Sequence, residues 1–220
     1  MATIPSETAK HLESQGWASL ALADSADVRG ETISVAQQLG QVVPRLTNKP
    51  IESILPHSES TARPSSLSHV FGLGALPLHS DTAHWAIPCR YIVLTCTEIG
   101  AVNTPTTLAD TNDPSFSAEE RQLLRSSTFI IKSGRRSFYG SMIDAQRRFT
   151  RFDPGCMFPV TDASRIAMNL YSMERQRNRL VTHHWRQGEV LIINNWRTLH
   201  GRGNEMPADP LRQLLRVYVR

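Results

Sequence analysis

Short runs of β-branched and apolar residues, bounded by proline and glycine, recur along the chain. The segment "RYIVLTCTEI" (Arg90 to Ile99) lies between Pro88 and Gly100 and predicts a buried strand. The same pattern predicts further strands in "TFIIKSG", "QGEVLIINNW" and the C-terminal "RQLLRVYVR", a less regular one in "TPTTLAD" and an edge strand in "GWASLALAD". Strands therefore dominate the middle and the end of the chain.

Helical periodicity is confined to three segments. "RGETISVAQQLG" predicts a helix ending at Gly40, and "SAEERQLLRSS" begins with a capping box formed by Ser117 and Glu120. "DASRIAMNLYSMERQRN" predicts one helix capped by Thr161 or Asp162, with one face made of Ile166, Leu170 and Met173. Because the helices are few and do not alternate with strands one for one, the pattern favours a β-sandwich or barrel with peripheral helices over a doubly wound parallel sheet.

The length of 220 residues is typical of one domain, which we place over residues 1–220. Residues 44–74 are rich in proline, serine and threonine, which predicts a loop with one or two short strands. Because this segment is too long for a simple connection, it also predicts a lid. A glycine-bracketed, arginine-rich stretch at about residues 133–158 predicts a second lid.

Composition excludes several classes of protein. The net charge is +4, but the cations are mostly scattered arginines without a basic run interleaved with aromatics, so we expect no nucleic-acid partner. No segment resembles a secretory leader or a bilayer span, which leads us to expect a cytoplasmic protein without a membrane partner. Cys89, Cys96 and Cys156 form no CxxC pair and predict buried, reduced thiols; the oligomeric state is not indicated.

Candidate metal ligands stand in "LPLHSDTAHW" and "NNWRTLHGRGN". His79 and Asp81 have the i, i+2 spacing that places two side chains on one face of a strand or at its end, and His200 follows another strand. Two imidazoles and one carboxylate form the facial triad that holds non-haem Fe(II) and leaves positions open. A 2-oxoacid co-substrate on that iron would need its far carboxylate paired, and Arg212 and Arg216 lie on the next predicted strand.

The motifs "HSD", "LHGR" and "RQLLR" resemble the taurine dioxygenase and clavaminate synthase group of Fe(II)/2-oxoglutarate-dependent oxygenases. The resemblance implies a double-stranded β-helix (jelly-roll, cupin-like) core, iron ligated by His79, Asp81 and His200, and Arg212 paired with the C5 carboxylate of 2-oxoglutarate. It places Arg216 deeper, near the substrate or the inner carboxylate. "GAVNTPTTLAD" is similar to the family's Gly-Gly-x-Thr-x-x-x-Asp segment and implies Thr106 as a second co-substrate contact. The family's Asp-Asn-Arg before the distal histidine is replaced here by "NNWR", residues 194–197.

The function that the resemblance implies is hydroxylation of a small molecule by dioxygen, with decarboxylation of 2-oxoglutarate to succinate. The arginines and the family's habit of natural-product chemistry favour a carboxylate-bearing substrate. Residues near the metal motif or in the arginine-rich stretch are predicted substrate contacts: His84, Trp85, Arg136, Tyr139 and Arg151. Two alternatives stay open, namely a non-catalytic β-barrel that binds metal or ligand, and a cupin-like metalloenzyme that does not need Arg212.

Overall fold

Thirteen strands make up most of the regular structure among the residues that the structure describes. The structure is a computed structural model that describes residues 2–22, 26–44, 49–64, 66–112, 115–203 and 207–220. In chain order the strands are β1 (Trp17–Ala21), β2 (Val42–Val43), β3 (Glu52–Ile54), β4 (Leu76–His79), β5 (Tyr91–Glu98), β6 (Thr106–Asp110), β7 (Phe129–Ser133), β8 (Arg136–Gly140), β9 (Met157–Pro159), β10 (Val181–His183), β11 (Glu189–Asn194), β12 (Thr198–Arg202) and β13 (Gln213–Val219).

Helices lie between the strands at the periphery. They are α1 (Ser6–Gln15), α2 (Val28–Leu39), α3 (Ser68–Phe71), α4 (Ala118–Ser126), α5 (Asp162–Leu170) and α6 (Met173–Gln176), followed by a 3-10 turn at Arg177–Arg179. No helix among the described residues is both long enough and apolar enough to cross a bilayer.

The strands form two main antiparallel sheets. The larger has the order β1-β11-β5-β13-β2, with β3 also paired to β13, and the smaller has the order β10-β6-β12-β4. Between them lies an apolar layer to which the larger sheet contributes Ile92, Leu94 and Leu191 and the smaller sheet Leu108. This arrangement confirms the mainly β, jelly-roll prediction.

Two further clusters cover the outer faces of the sheets. Val93, Val190 and Val217 point outward from the larger sheet and pack against Val35 and Ala36 of α2. The outer face of the smaller sheet packs against a third sheet, β8-β7-β9, and against α4 and α5. Because strand residues alternate between faces, the neighbours of these outward residues face the space between the two main sheets.

Most predicted elements occur where the pattern placed them, with three corrections. The capping box on α4 and the end of α2 before Gly40 are confirmed. The predicted helix from Asp162 is wrong in its extent: it stops at Leu170, and Ile166 is 53% exposed instead of buried. The Met173 side chain lies outside the described residues.

The segment at residues 44–74 contains a short strand, as its pattern predicts, and a short helix that the pattern does not predict. It contains α3, and its β3 joins the larger sheet beside β13. Residues 45–48 and 65 of this predicted lid lie outside the described residues. Arg212 also differs from expectation, since it lies immediately before β13, and the register of that strand shifts between Gln213 and Leu214.

Candidate active site

Three side chains from distant parts of the chain converge between the main sheets. His79 at the end of β4 and His200 in the middle of β12 are direct cross-strand partners, and their ring centroids are 4.4 Å apart. Asp81 lies two residues beyond His79, with its carboxylate oxygens 3.9 Å from His79 Nε2 and 3.8 Å from His200 Nε2. One donor atom from each residue fits within 4.8 Å of the others, which is a spacing that one metal ion can bridge.

Strand alternation aims the two histidines at this point. Leu78 and Leu199, their immediate neighbours, belong to the apolar cluster on the outer face of the smaller sheet. His79 and His200 therefore point the other way, toward the interior. A register slip of one residue in β4 would bury Leu78 in the site and remove an imidazole from it.

Hydrogen bonds hold the ligand groups in orientation. The carbonyl of Pro77 lies 2.9 Å from His79 Nδ1, so this nitrogen donates and Nε2 carries the lone pair that faces Asp81. The side chain of Asn195 brackets Asp81: its Oδ1 accepts from the Asp81 backbone N–H at 2.8 Å, and its Nδ2 donates to the Asp81 carbonyl at 3.0 Å. Asn195 also donates to the carbonyl of Cys89, which fixes the amide itself.

His200 is neutral in this environment. Burial, reinforced by the neighbouring His79 and Arg216 and opposed by Asp81, lowers the pKa of His200 to about 3. Its Nδ1 is buried without a hydrogen-bond partner among the described residues. A neutral imidazole beside a carboxylate suits metal ligation, because metal binding requires the deprotonated ring.

Arg216 is the nearest cation to the triad. Its Nη1 lies 3.1 Å from Asp81 Oδ2, and its Nη2 lies 3.0 Å from Glu52 Oε2 on β3. Burial disfavours the charge on Arg216, but Asp81 and Glu52 more than offset it, so its pKa is raised. The predicted lid segment thus supplies a carboxylate to the site, which the sequence did not indicate.

Arg212 also lies on the interior side of the sheets, but its neighbours differ from those of Arg216. It is 6% exposed, its guanidinium lies 5.9 Å from the Trp185 ring, and burial lowers its pKa to about 10. No carboxylate of the described residues forms an ion pair with it. Trp185 also donates from Nε1 to Thr106 Oγ1 at 3.1 Å, so one indole connects Thr106 with Arg212.

Three of the predicted substrate contacts lie close to the turn that follows Asp81, namely His84, Trp85 and Arg151. Trp85 packs on Tyr218, with ring centroids 6.2 Å apart, and His84 packs edge-on against Trp85. Arg151 is buried and donates to the carbonyls of Ala83, Trp85 and Ala86. It therefore holds the turn after Asp81, and a contact with substrate stays a prediction.

Arg136 and Tyr139 lie on β8, in the third sheet. Both are exposed, Tyr139 by 73%, and the structure does not bring them into contact with the triad. The stretch at residues 133–158 contains the β7–β8 turn, β8, β9 and a short bridge between Ile143 and Thr150. Its role as a lid stays a prediction.

The structure adds three supporting residues that the sequence did not predict: Asn195, Glu52 and Arg202. Asn195 corresponds to the Asn of the Asp-Asn-Arg pattern, and this correspondence is the sequence signal that identifies it. Arg202 is buried, donates from Nε to the Gly74 carbonyl at 2.7 Å and also contacts the Gly72 carbonyl, so it ties β12 to the segment after α3. Nothing local to Glu52 marks it, because its partner lies 164 positions away.

Comparison with known proteins identifies this fold. Residues 112–218 match the sequence model of the family described as taurine catabolism dioxygenase TauD, TfdA family. A comparison with curated protein sequences found no match. Several solved structures are similar across nearly the whole chain, at identities that establish the fold alone.

Three such structures illustrate the similarity. An asparagine oxygenase in complex with Fe(II), 2S,3S-3-hydroxyasparagine and succinate has a TM-score of 0.76 at 17% identity, covering 97% of this chain and 77% of that one. The non-heme iron oxygenase OrfP, with Fe, succinate and (3R,4R)-dihydroxy-L-Arg, has a TM-score of 0.74 at 19% identity, covering 98% and 81%. PvcB from Pseudomonas aeruginosa has a TM-score of 0.71 at 19% identity, covering 99% and 80%.

The fold is therefore that of the non-haem iron oxygenases. Residues 112–218, which carry His200, Arg212 and Arg216, match the TauD/TfdA family model, and the resemblance indicated by the sequence motifs is confirmed.

Proposed function

We propose that the protein is an Fe(II)- and 2-oxoglutarate-dependent oxygenase that hydroxylates a small, carboxylate-bearing molecule of the amino-acid class. The observation that carries this proposal is the combination of His79, Asp81 and His200 within 4.8 Å with a buried guanidinium, Arg212, that lacks a carboxylate partner among the described residues. The family match and the oxygenase fold support it.

The triad suits a ferrous ion. Two neutral imidazole nitrogens and one carboxylate are the donor set of non-haem Fe(II) oxygenases, and they leave coordination positions for a chelating co-substrate and dioxygen. When bound, the iron supplies the oxidising chemistry, coupled to loss of carbon dioxide from 2-oxoglutarate and formation of succinate. The chain's part is to hold the ligands rigidly through Pro77 and Asn195.

Arg212 suits the far carboxylate of 2-oxoglutarate. A buried guanidinium is costly unless it is paired, and a carboxylate can accept two parallel hydrogen bonds from it. Thr106 is joined to Arg212 through Trp185 and offers a hydroxyl at the same end of the interior. We therefore assign both residues to co-substrate binding.

Arg216 and Glu52 suit a zwitterionic substrate. They place a cation and an anion side by side next to Asp81, with side chains only 15% and 19% exposed. A substrate carboxylate would pair with Arg216 and an ammonium group with Glu52. The product amino acids named for two similar structures, hydroxyasparagine and dihydroxyarginine, support this class.

Anaerobic titration tests the co-substrate assignment. Fe(II) and 2-oxoglutarate added to the protein should produce the weak visible charge-transfer band of the chelate. Arg212→Ala should raise the apparent dissociation constant of 2-oxoglutarate at least tenfold, because a hydrogen-bonded charge pair contributes about 1.5–3 kcal/mol. Arg29→Ala, an exposed position on α2, serves as the matched control and should change nothing.

The outcomes separate the alternatives. Metal uptake without any band would indicate a non-catalytic binding protein or a metalloenzyme that does not use 2-oxoglutarate. A band whose apparent affinity is unchanged in Arg212→Ala would contradict the assignment of Arg212 alone. Screening amino acids against their decarboxylated amines by succinate release then tests the substrate class, since only the amino acids should support turnover.

A further inference from the structure

A cavity of about 340 Å³ opens beside α4, and neither the triad nor Arg212 nor Arg216 lines it. It is bordered by the start of β5, helix α4, the loop before Thr150 and the turn between β11 and β12. Six of its lining residues are arginines: Arg90, Arg121, Arg125, Arg147, Arg148 and Arg197. We refer to it below as the arginine cleft.

Positive charge in the arginine cleft exceeds the carboxylates that neutralise it. Arg148 pairs with Asp144 at 2.9 Å and Arg197 with Asp110 at 2.6 Å. Arg90, Arg125 and Arg147 form no ion pair with any carboxylate of the described residues. Several guanidinium groups therefore face one cavity from separate segments, an arrangement that an anionic ligand would stabilise.

Aromatic rings hold part of this charge in place. The Arg90 guanidinium lies 5.5 Å from the Trp196 ring and 5.1 Å from the Tyr91 ring, and the Arg148 guanidinium lies 5.8 Å from Phe149. Stacking uses the face of a guanidinium and leaves its N–H groups pointing outward in the plane. Arg90 is thereby pre-oriented to donate hydrogen bonds.

We propose that the arginine cleft binds the phosphate group of a phosphorylated small molecule. A phosphate monoester offers three acceptor oxygens and a charge between about −1.5 and −2, which matches several converging guanidinium groups better than a carboxylate does. The cavity volume falls at the lower end of the range of about 300–1,000 Å³ for small-molecule sites. The proposal is independent of the oxygenase function.

The arginine cleft also adjoins the metal site through the backbone. Trp196, which lines it, directly follows Asn195, the residue that brackets Asp81. Thr150 of the cleft donates its N–H to the Trp196 carbonyl at 2.8 Å. A phosphate held here would lie against the turn that supports an iron ligand.

Calorimetric titration of the metal-free protein with inorganic pyrophosphate, at constant ionic strength, tests the proposal without interference from iron chelation. The double variant Arg125→Gln, Arg147→Gln should weaken pyrophosphate binding at least tenfold. The double variant Arg29→Gln, Arg177→Gln removes the same charge from exposed positions elsewhere and should weaken it less than twofold. Circular dichroism melts establish that both variants fold; should the first not fold, Arg147→Gln alone, at an exposed loop position, replaces it.

Absence of binding to the wild-type protein at millimolar pyrophosphate, or equal weakening in the two double variants, would overturn the proposal. A parallel titration with ADP shows whether the arginine cleft recognises a nucleotide or phosphate alone. Tighter binding of ADP than of pyrophosphate indicates that the aromatic wall receives a planar base, and equal binding indicates that phosphate alone is recognised. Loss of the pyrophosphate signal with an intact 2-oxoglutarate band would leave the oxygenase proposal untouched.

Discussion

At the scale of single residues, Asn195 shows how much of the candidate site depends on groups outside the three proposed metal ligands. Its amide makes hydrogen bonds with both backbone groups of Asp81 and with Cys89, across more than a hundred positions of sequence. His79, Asp81 and His200 could be predicted because their residue types and spacing carry chemical meaning. Glu52 could not be assigned in the same way, because its role depends on a contact with Arg216 that only the folded chain creates.

Asn195→Ala should weaken Fe(II) binding about tenfold or more while leaving all three ligands present. The amide orients Asp81, and loss of groups that orient metal ligands typically costs 10–100-fold in affinity. Anaerobic Fe(II) titration measures this effect, with the exposed Asn178→Ala as control. An unchanged affinity would show that the turn holds Asp81 without the amide.

The three thiols should be unreactive in the folded protein. All three cysteines are buried, and burial raises the pKa of Cys96 to about 11 and that of Cys89 to about 12. A raised thiol pKa means that the reactive thiolate is scarce below that pKa and increases only as pH rises toward it. We expect a thiol reagent at pH 8 to modify none of them in the native state and all three in guanidinium, and rapid native labelling would contradict the burial.

At the scale of elements, the pairing of β4 with β12 determines whether a site exists. The sequence places His200 after a strand and does not predict β12 itself. The register of the pair could not be predicted either, because partners are chosen by contacts across the fold. The pairing of β3 illustrates the same dependence on contacts across the fold. Its three residues lie in a proline- and serine-rich segment and form a strand because β13 offers an edge. This dependence also explains α5, whose burial is set by the sheet against which it packs rather than by its own periodicity.

Gly201→Ala should separate the two strands that carry the histidines. A Cβ at position 201 would lie 2.6 Å from the Leu76 carbonyl oxygen of β4, a backbone atom that cannot move independently of its strand. We expect a loss of stability of about 1–3 kcal/mol, as is typical for overpacking, together with loss of Fe(II) binding. Urea denaturation and metal titration check the two effects; retention of full iron affinity would show that β4 accommodates the methyl group.

At the scale of the whole molecule, the candidate metal site connects the smaller sheet to the turn after β4, and Arg216 adds a contact from the larger sheet. The jelly-roll class could be predicted from family motifs, and the single-domain assignment over residues 1–220 stays a prediction. How the two main sheets face each other emerges only from the complete set of strand pairings. A ligand that binds only the folded state, and not the unfolded chain, stabilises all of these contacts together.

Anaerobic Fe(II) should therefore raise the thermal midpoint of the protein. At a free metal concentration about 100 times its dissociation constant the stabilisation is about 2.7 kcal/mol. For a chain of this size that corresponds to about 5–10 °C. Differential scanning calorimetry measures the shift, and His200→Ala should abolish it. A shift of equal size in the variant would place the metal elsewhere.

The pairing of His79 with His200 also bears on how the protein matures during translation. More than half of the chain separates the two histidines, and Arg212 is synthesised later still. A nascent chain that has not yet released β12 from the ribosome possesses two of the three donors and no opposing strand to orient them. The proposed iron site is therefore expected to form only after β12 has been synthesised and has paired with β4.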